Sequence, residues 1–396
     1  MTRSFMVAIA LLASSPAVAQ QALPTIATHA VEQWTVERDL VIGEPEVSLT
    51  TVTDLLIGPD GSIYVVQPDE QRIRQFAAVG EPRLSIGRRG RGPGEFQRPQ
   101  YAVWRADTLV VTDRALGRLT AFTAQGAVHY TLSTLSGAAV RRLPRALLAN
   151  GLMLAEQSVG SDDDLVDGVV TTRPLLLIDH EGSTVDTLAV LSFGAHVQAR
   201  VVITVDGEPT YSYFTHPFPD GDAYDVDPDG RAVVVVSQVA GDESNPRFSV
   251  VRLSPSGRNE WSRSFSYTPQ RVSAMTRDTL GALATKFTQH PTFRERVPRG
   301  QIERSLRRDI HVPSFLAPAS DVVAGRDGSV WIRREPVSQD ALWMVLDHRG
   351  THIANARMPF GFRPYQADKD HVWGIELGEM DEPHVVRYRV RRAGET

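Results

Sequence analysis

Cysteine is absent from the 396 residues. That excludes disulfides, zinc–thiolate sites, iron–sulfur clusters and a cysteine nucleophile. Lysine is almost absent. Only Lys286 and Lys369 are lysine among 42 basic residues, and the arginines are spread along the whole chain, as a GC-rich coding bias would leave them. No surplus of positive charge exists either: the net charge is −5, which argues against a general nucleic-acid surface. Beyond the N-terminus no run approaches the 18 continuous apolar residues of a membrane-spanning helix. Gly-x-Ser-x-Gly elbows, His-Glu-x-x-His helices and Walker loops are missing as well. What remains is ordinary globular composition, 42% hydrophobic and 22% charged.

The first residues read as an address. Arg3 is a short positive region, Phe5 to Ala13 an apolar one, and Ala17-Val18-Ala19 a small-residue cleavage site. The pattern predicts a signal peptide over 1–19 and a soluble, exported mature chain, periplasmic or secreted, with no transmembrane segment.

A repeat runs through the rest. Its first copy is TVTDLLIGPDGSIYVVQ, two β-runs about a Pro59-Asp60-Gly61 turn, followed by RIRQFAAVG and PRLSIG. Asp-Gly between alternating apolar runs is a hairpin signal. The third-strand turn recurs at Gly80, Gly126, Gly182, Gly257, Gly350 and Gly394. The first-strand turn recurs at Gly61, Asp107, Gly151, Gly230, Gly328 and Asp370. Two turn series that agree on six copies predict a six-bladed β-propeller of four-stranded blades, forming one domain over 20–396. The sixth copy runs out at its third strand, so Trp34–Gly43 is expected to supply the fourth strand and close the ring.

The linker GRRGRGPGEFQRP (Gly87 to Pro99) resembles the Gly-x-x-Gly-x-Gly-Pro-Gly-Glu-Phe-x-x-Pro linker of NHL-repeat propellers. VVTD and IYVVQ resemble their second strands. The resemblance covers residues 50–133 best and the last two blades adequately. It implies the NHL and TolB-like group of six-bladed propellers, which includes binding modules, lactonases and lyases, so fold alone leaves function open.

The excess length points to a place on the molecule. About 61 residues per blade exceed the roughly 40–50 of propeller repeats. The surplus sits in long connections at 158–173, 192–217, 239–247 and 266–319, all after second or fourth strands and hence on one face. The last contains helical periodicity, with Met275, Leu280, Leu283 and Phe287 on one side and Thr276 or Asp278 as candidate caps. The helical insertion is expected over about 268–313. Its nine basic and four acidic residues between Arg271 and Asp309 suit either a cationic lid or a helical hairpin packed on the rim, and the latter is the plainer reading.

On the same face the inner-strand starts offer Asp54, Tyr101, Arg145, His216, Asp321 and Tyr365, a mixture suited to hydrogen-bonding a polar ligand. Arg88, Arg89 and Arg91 in the glycine-rich linker are candidate anion binders, against their plainer role as a blade connection. Asp225 to Gly230 lacks the closing glutamate of a calcium loop. Ser161 to Asp164 reads as a solvated acidic loop. His348 and His352 straddle a turn and do not make a metal set. The four asparagines, Asn150, Asn245, Asn259 and Asn355, do not begin inner strands, unlike the resembled metal-dependent lactonases. No cofactor, no metal and no catalytic residue is therefore expected. The reading is an exported, monomeric, non-catalytic propeller binding a ligand or protein partner on its elaborated face. The competing reading is a channel-mouth hydrolase or lyase of lactonase-like kind, with or without a metal.

Overall fold

The structure, a computed structural model, describes residues 31–43, 47–133, 142–157, 172–192, 198–215, 217–218, 221–238, 246–334, 340–379 and 381–392. The chain is all-β apart from two helices, and its sheets take a propeller-like arrangement.

Short strands punctuated by Gly turns build each sheet. The first contains β2 (Asp54–Ile57), β3 (Ile63–Gln67), β4 (Arg72–Phe76) and β5 (Pro82–Ile86), hydrogen-bonded in that order. Every residue of β3 is buried, as its unbroken apolar run requires of a strand covered on both faces. The turn into it is closed by Gly58 N–H to the Ser62 carbonyl at 2.7 Å, with Gly61 at φ +80°. That conformation costs a side chain-bearing residue energy that glycine avoids. The same pattern repeats in β6 (Pro99–Arg105), β7 (Thr108–Asp113), β8 (Arg118–Thr123) and β9 (Val128–Ser133). It repeats again in β10 (Arg142–Leu147), β11 (Met153–Gln157), β12 (Thr172–Ile178) and β13 (Thr184–Ser192). After a hairpin, β14 (Gln198–Val205) with β15 (Glu208–Thr215), come β16 (Ala223–Val226), β17 (Val233–Gln238), β18 (Arg247–Leu253) and β19 (Asn259–Ser266) as a further four-stranded sheet.

The last part differs from six separate four-stranded units. β20 (Ala319–Ala324), β21 (Val330–Arg334), β22 (Asp340–Leu346) and β23 (His352–Pro359) are joined to β24 (Arg363–Ala367), β25 (His371–Leu377) and β26 (Pro383–Arg391) in one eight-stranded sheet. The eighth strand is β1 (Glu32–Ile42), which joins the two groups. It runs antiparallel to β26 from Thr35 to Ile42 and parallel to β23 at Glu32–Trp34. The expected strand Trp34–Gly43 therefore exists, and it bonds to two neighbours instead of one.

The core lies between successive sheets. Leu56, Tyr64 and Ile73 pack on Trp104, Leu109 and Phe122. Val234 and Val250 pack on Val322, Ile332 and Met344. Trp331 and Trp343 meet Phe362 and Tyr388, and Ile375 and Val385 of the last sheet return to Leu55, Ile63 and Phe76 of the first.

Two of the long connections fold together. β14 and β15 make a hairpin whose Val201, Ile203 and Val205 pack against α1 (Ser273–Gln289) and α2 (Arg299–Asp309) through Ala284, Phe287, Ile302 and Leu306. Bonds from α2 side chains to the β14 backbone seal the contact: Val202 N–H donates to the Asp309 carboxylate at 2.8 Å and the Arg308 guanidinium donates to the Val202 carbonyl at 2.9 Å. The helical insertion expected over about 268–313 forms as a helical hairpin, but the start of α1 is not capped as expected. Val272 takes the cap position without a side-chain bond, and Thr276 Oγ1 donates back to the Val272 carbonyl at 3.0 Å. The connections at 158–171 and 239–245 lie outside the described residues.

Candidate functional site

Strands β2, β6, β10, β16, β20 and β24 surround a cavity of about 290 Å³. Each of these strands has one edge without a strand partner, so its inward amides need acceptors from elsewhere. Neighbouring sheets provide them. Asp54 accepts Ala102 N–H of β6 at 2.9 Å, Asp225 of β16 accepts Ala324 N–H of β20 at 2.8 Å, and Gln366 of β24 accepts Ile57 N–H of β2 at 3.2 Å. The polar side chains that line the cavity also staple its wall.

Bulges aim others into it. The pairing of β10 with β11 skips from Pro144 to Ala146, and that of β24 with β25 from Pro364 to Gln366. The unpaired extra residues are Arg145 and Tyr365, both in the cavity wall. A bulge re-aims a side chain in this manner.

The chemistry divides into two groups. Arg145 pairs with Glu156 at 2.8 Å, hydrogen-bonds the Tyr224 hydroxyl at 3.1 Å and stacks over the Tyr101 ring at 4.5 Å. Arg173 meets the same carboxylate at 2.9 Å, and Tyr224 donates to it. Burial works to raise the Glu156 carboxyl, but Arg145, Tyr224 and Arg173 overcome it and hold the group below the usual carboxylate range.

The second group is three aspartates. Burial pushes the carboxyl of Asp54 up to about 7, against two amide bonds and the fields of Arg145 and Arg363. Asp225 is likewise pushed up to about 7, by burial first, with Asp321 and Asp54 adding to the effect. Asp321 is raised by burial too. Arg363 is exposed at the cavity, its guanidinium 5.1 Å from the Tyr365 ring centre. Burial also raises the Tyr365 hydroxyl. Carboxyls that titrate near neutrality inside a cavity are able to exchange protons and to bind cations.

Of the residues the sequence singles out, Asp54, Tyr101, Arg145, Asp321 and Tyr365 all line this cavity. His216 lies outside the described residues. The inner strand it was expected to begin starts instead at Ala223, and Tyr224 and Asp225 are the residues it contributes to the wall. The sequence offers Asp225 only as the start of a calcium-like segment, and Arg363, two positions before Tyr365, carries no signal of its own.

Arg88, Arg89 and Arg91 are not in the cavity wall. Arg88 pairs with Glu95 at 3.0 Å, whose second oxygen accepts Gly92 N–H at 2.8 Å. Arg118 donates to the Arg91, Gly92 and Glu95 carbonyls. The Gly90 and Gly92 amides, which an anion would use, are thus bonded within the loop.

Asp227 of the calcium-like segment turns to its own loop and to Arg252. His352 bonds the Ala354 carbonyl and Asn355. Among the described residues no three His, Asp or Glu side chains are placed to hold one metal ion. Nor do α1 and α2 reach the cavity wall. Arg296, Arg299 and Arg308 pair with Asp206, Glu303 and Asp309, as in a packed rim hairpin.

No protein-family model and no curated protein matches the chain. Solved structures of similar shape exist at low identity. A protein of Bacteroides fragilis described as exported is 10% identical, covers 92% of this chain and 97% of its own, and has a TM-score of 0.44. A duf4221-family member from Bacteroides vulgatus is 9% identical over 91% and 99%, with a TM-score of 0.46. An inactive virginiamycin B lyase from Staphylococcus aureus, solved with quinupristin, is 12% identical over 89% and 99%, with a TM-score of 0.41. Likenesses this distant do not bear on the chemistry of the cavity.

Proposed function

We propose that the protein is an exported, non-catalytic binding protein: one six-bladed β-propeller of the NHL and TolB-like kind that holds a small polar ligand in its central cavity. The observation that carries the reading is the cavity wall. Polar residues from six strands, β2, β6, β10, β16, β20 and β24, line it: Asp54, Tyr101, Arg145, Asp225, Asp321 and Tyr365. A wall that served only to fill space would be lined by packed aliphatic side chains. A volume of about 290 Å³ is at the small end for ligand sites, which favours a metabolite-sized molecule over a protein loop.

The six-bladed ring is supported by the two turn series and by the packing of the last sheet on the first. In this reading the eight-stranded sheet is two blades, β20–β23 and β24–β26 with β1, bridged at Glu32–Trp34. Export rests on residues 1–19, and one domain, acting as a monomer, follows from there. The described residues contain no helix long and apolar enough to cross a membrane.

A second reading, a hydrolase or lyase, draws on one observation. Asp54 and Asp225 both have carboxyls pushed up to about 7, where general acids and bases work. One experiment separates the two. The purified mature chain is screened by thermal shift against small polar metabolites, lactones and esters, and the hits are followed for turnover. A ligand at 100 times its Kd stabilises by about 2.7 kcal/mol. With an unfolding entropy of about 0.8 kcal/mol/K for about 370 residues, the melting temperature rises roughly 3–4 °C. The double variant Arg363→Ala/Asp321→Asn is expected to abolish that rise. A hit that shifts the double variant equally refutes cavity binding, and a hit that is consumed replaces the binding protein by the enzyme.

A further inference from the structure

We infer that the cleft between the β16–β19 and β20–β23 sheets is a second binding site, apart from the central cavity, in which Arg334 takes the carboxylate of a small ligand with a flat apolar body.

Arg334 ends β21, and burial works against its charge. A shielded guanidinium is ordinarily paired with a carboxylate. Here the titratable group whose field acts on it is the Tyr267 hydroxyl, and no carboxylate of a described residue stands beside it. The guanidinium is held in place all the same. Its Nε donates to the Pro318 carbonyl at 2.9 Å, its Nη1 faces Met344 Sδ at 3.8 Å, and its central carbon lies 4.8 Å from the centre of the Phe248 ring. A guanidinium has five N–H donors. One is spent on Pro318 and one meets a weak sulfur acceptor. The rest remain on a fork whose flat face is backed by Phe248.

A second base shares the cleft. Met344 on β22 is the cross-strand partner of Asn355 on β23. His352 Nε2 bonds Asn355 Oδ1 and the Ala354 carbonyl, both at 3.1 Å. Both partners are oxygens, so Nε2 carries the proton and Nδ1 is left uncommitted. Burial lowers the His352 imidazole, and the Arg334 charge adds to that against the two hydrogen bonds. An incoming anion is therefore favoured by both groups at once.

The remaining walls are aromatic. Phe265, across from His352, stands edge-on to its ring at 6.5 Å and packs on Phe248 at 5.5 Å. Tyr267 meets Phe248 from the side at 6.5 Å. Phe265 and Tyr267 are only partly buried, so apolar surface is left for a ligand to cover. None of these residues belongs to the wall of the central cavity. A carboxylate fits the arginine fork bidentately, whereas phosphate sites gather several backbone amides. The rings supply the place for a planar apolar body.

The test titrates the mature chain at pH 7.0 and constant ionic strength with benzoate, benzyl alcohol, acetate and inorganic phosphate. It follows heat by calorimetry and the His352 Cε1–H resonance by NMR, assigned with His352→Asn. Benzoate is expected to saturate below 20 mM and the other three to bind at least tenfold more weakly. Saturating benzoate should raise the His352 titration midpoint by at least half a unit, because the ligand's charge offsets that of Arg334. Arg334→Gln should weaken benzoate at least tenfold. Arg334→Lys keeps the charge but loses the fork, and should weaken it at least threefold. Both variants are checked for an unchanged melting curve, and the comparison of benzoate with benzyl alcohol needs no variant. Arg363→Ala, in the central cavity, should leave benzoate binding within twofold. The inference is overturned by any of four results: no saturation at 20 mM, benzyl alcohol, acetate or phosphate binding as tightly as benzoate, an unmoved His352, or a loss in Arg363→Ala that Arg334→Gln does not show. The last would place the anion in the central cavity; the first three leave the central-cavity reading untouched.

Discussion

Removing one indole should loosen two sheets at once. Trp34, on β1, is 4% exposed. Its ring lies 5.8 Å from that of Trp331, and Arg392 stacks on it at 5.4 Å. It shares a core with Trp343, Ala356 and Val390, so it contacts both groups of strands that β1 bridges. Truncating a buried tryptophan to alanine costs about 3–5 kcal/mol through lost transfer energy and the cavity left behind. With an unfolding entropy of about 0.8 kcal/mol/K, Trp34→Ala should lower the melting temperature by roughly 4–6 °C. Val41→Ala is the control, because Val41 is on the same strand and 46% exposed; it should change the melting temperature by less than about 1 °C. Hydrogen exchange gives the second readout. The amides of β23 and β26 that bond to β1 should lose protection together in Trp34→Ala, while those of β7 keep theirs. A shift below 2 °C, or lost protection confined to one of the two strands, would refute the idea that β1 clamps both.

Two further expectations concern charge. Glu156→Gln leaves Arg145 and Arg173 facing each other without their shared carboxylate; breaking such a shielded pair costs about 3–5 kcal/mol, read as a matching loss in denaturant unfolding. The cavity aspartates set a pH dependence of the opposite kind to ordinary paired carboxylates. Their folded-state carboxyls sit above the usual 3.8, at about 7 for Asp54 and Asp225. The stability they contribute is therefore fully present below pH 4 and is lost as pH rises through 7. Asp225→Asn removes one carboxyl and relieves Asp54 of a like charge, so the fall in melting temperature between pH 5 and 8 should be shallower than in the parent. Equal slopes would show that the two groups titrate normally.

The architecture was legible because turns are local. Gly61, Gly80, Gly126, Gly151, Gly182, Gly230, Gly257, Gly328 and Gly350 all adopt positive φ, and a sequence announces such positions by its glycines. Counting back along each strand places Asp54, Tyr101, Arg145, Asp321 and Tyr365 at inner-strand starts, and all five line the cavity. It went astray before β16, because β15 ends close upstream and its aromatic run reads as continuous with the next strand. The hairpin of β14 and β15 had a signal in Asp206-Gly207 between alternating apolar residues, but that stretch read as a connection. Its packing on α1 and α2, in contrast, joins segments about a hundred residues apart, and no local pattern encodes that. The two bulges were equally silent, since a bulge is a property of the partner strand as much as of its own.

β1 has a consequence for how the chain comes into being. Glu37 and its partner Arg391 are separated by 354 residues. The first strand among the described residues therefore bonds to the last. Until β26 exists, β1 has only the three-residue parallel pairing with β23 to hold it, and β26 has no outer neighbour. Contacts of this span form late and slowly. The clasp acts as a timer: the two ends of this link stay apart until β26 has been made, and join only then.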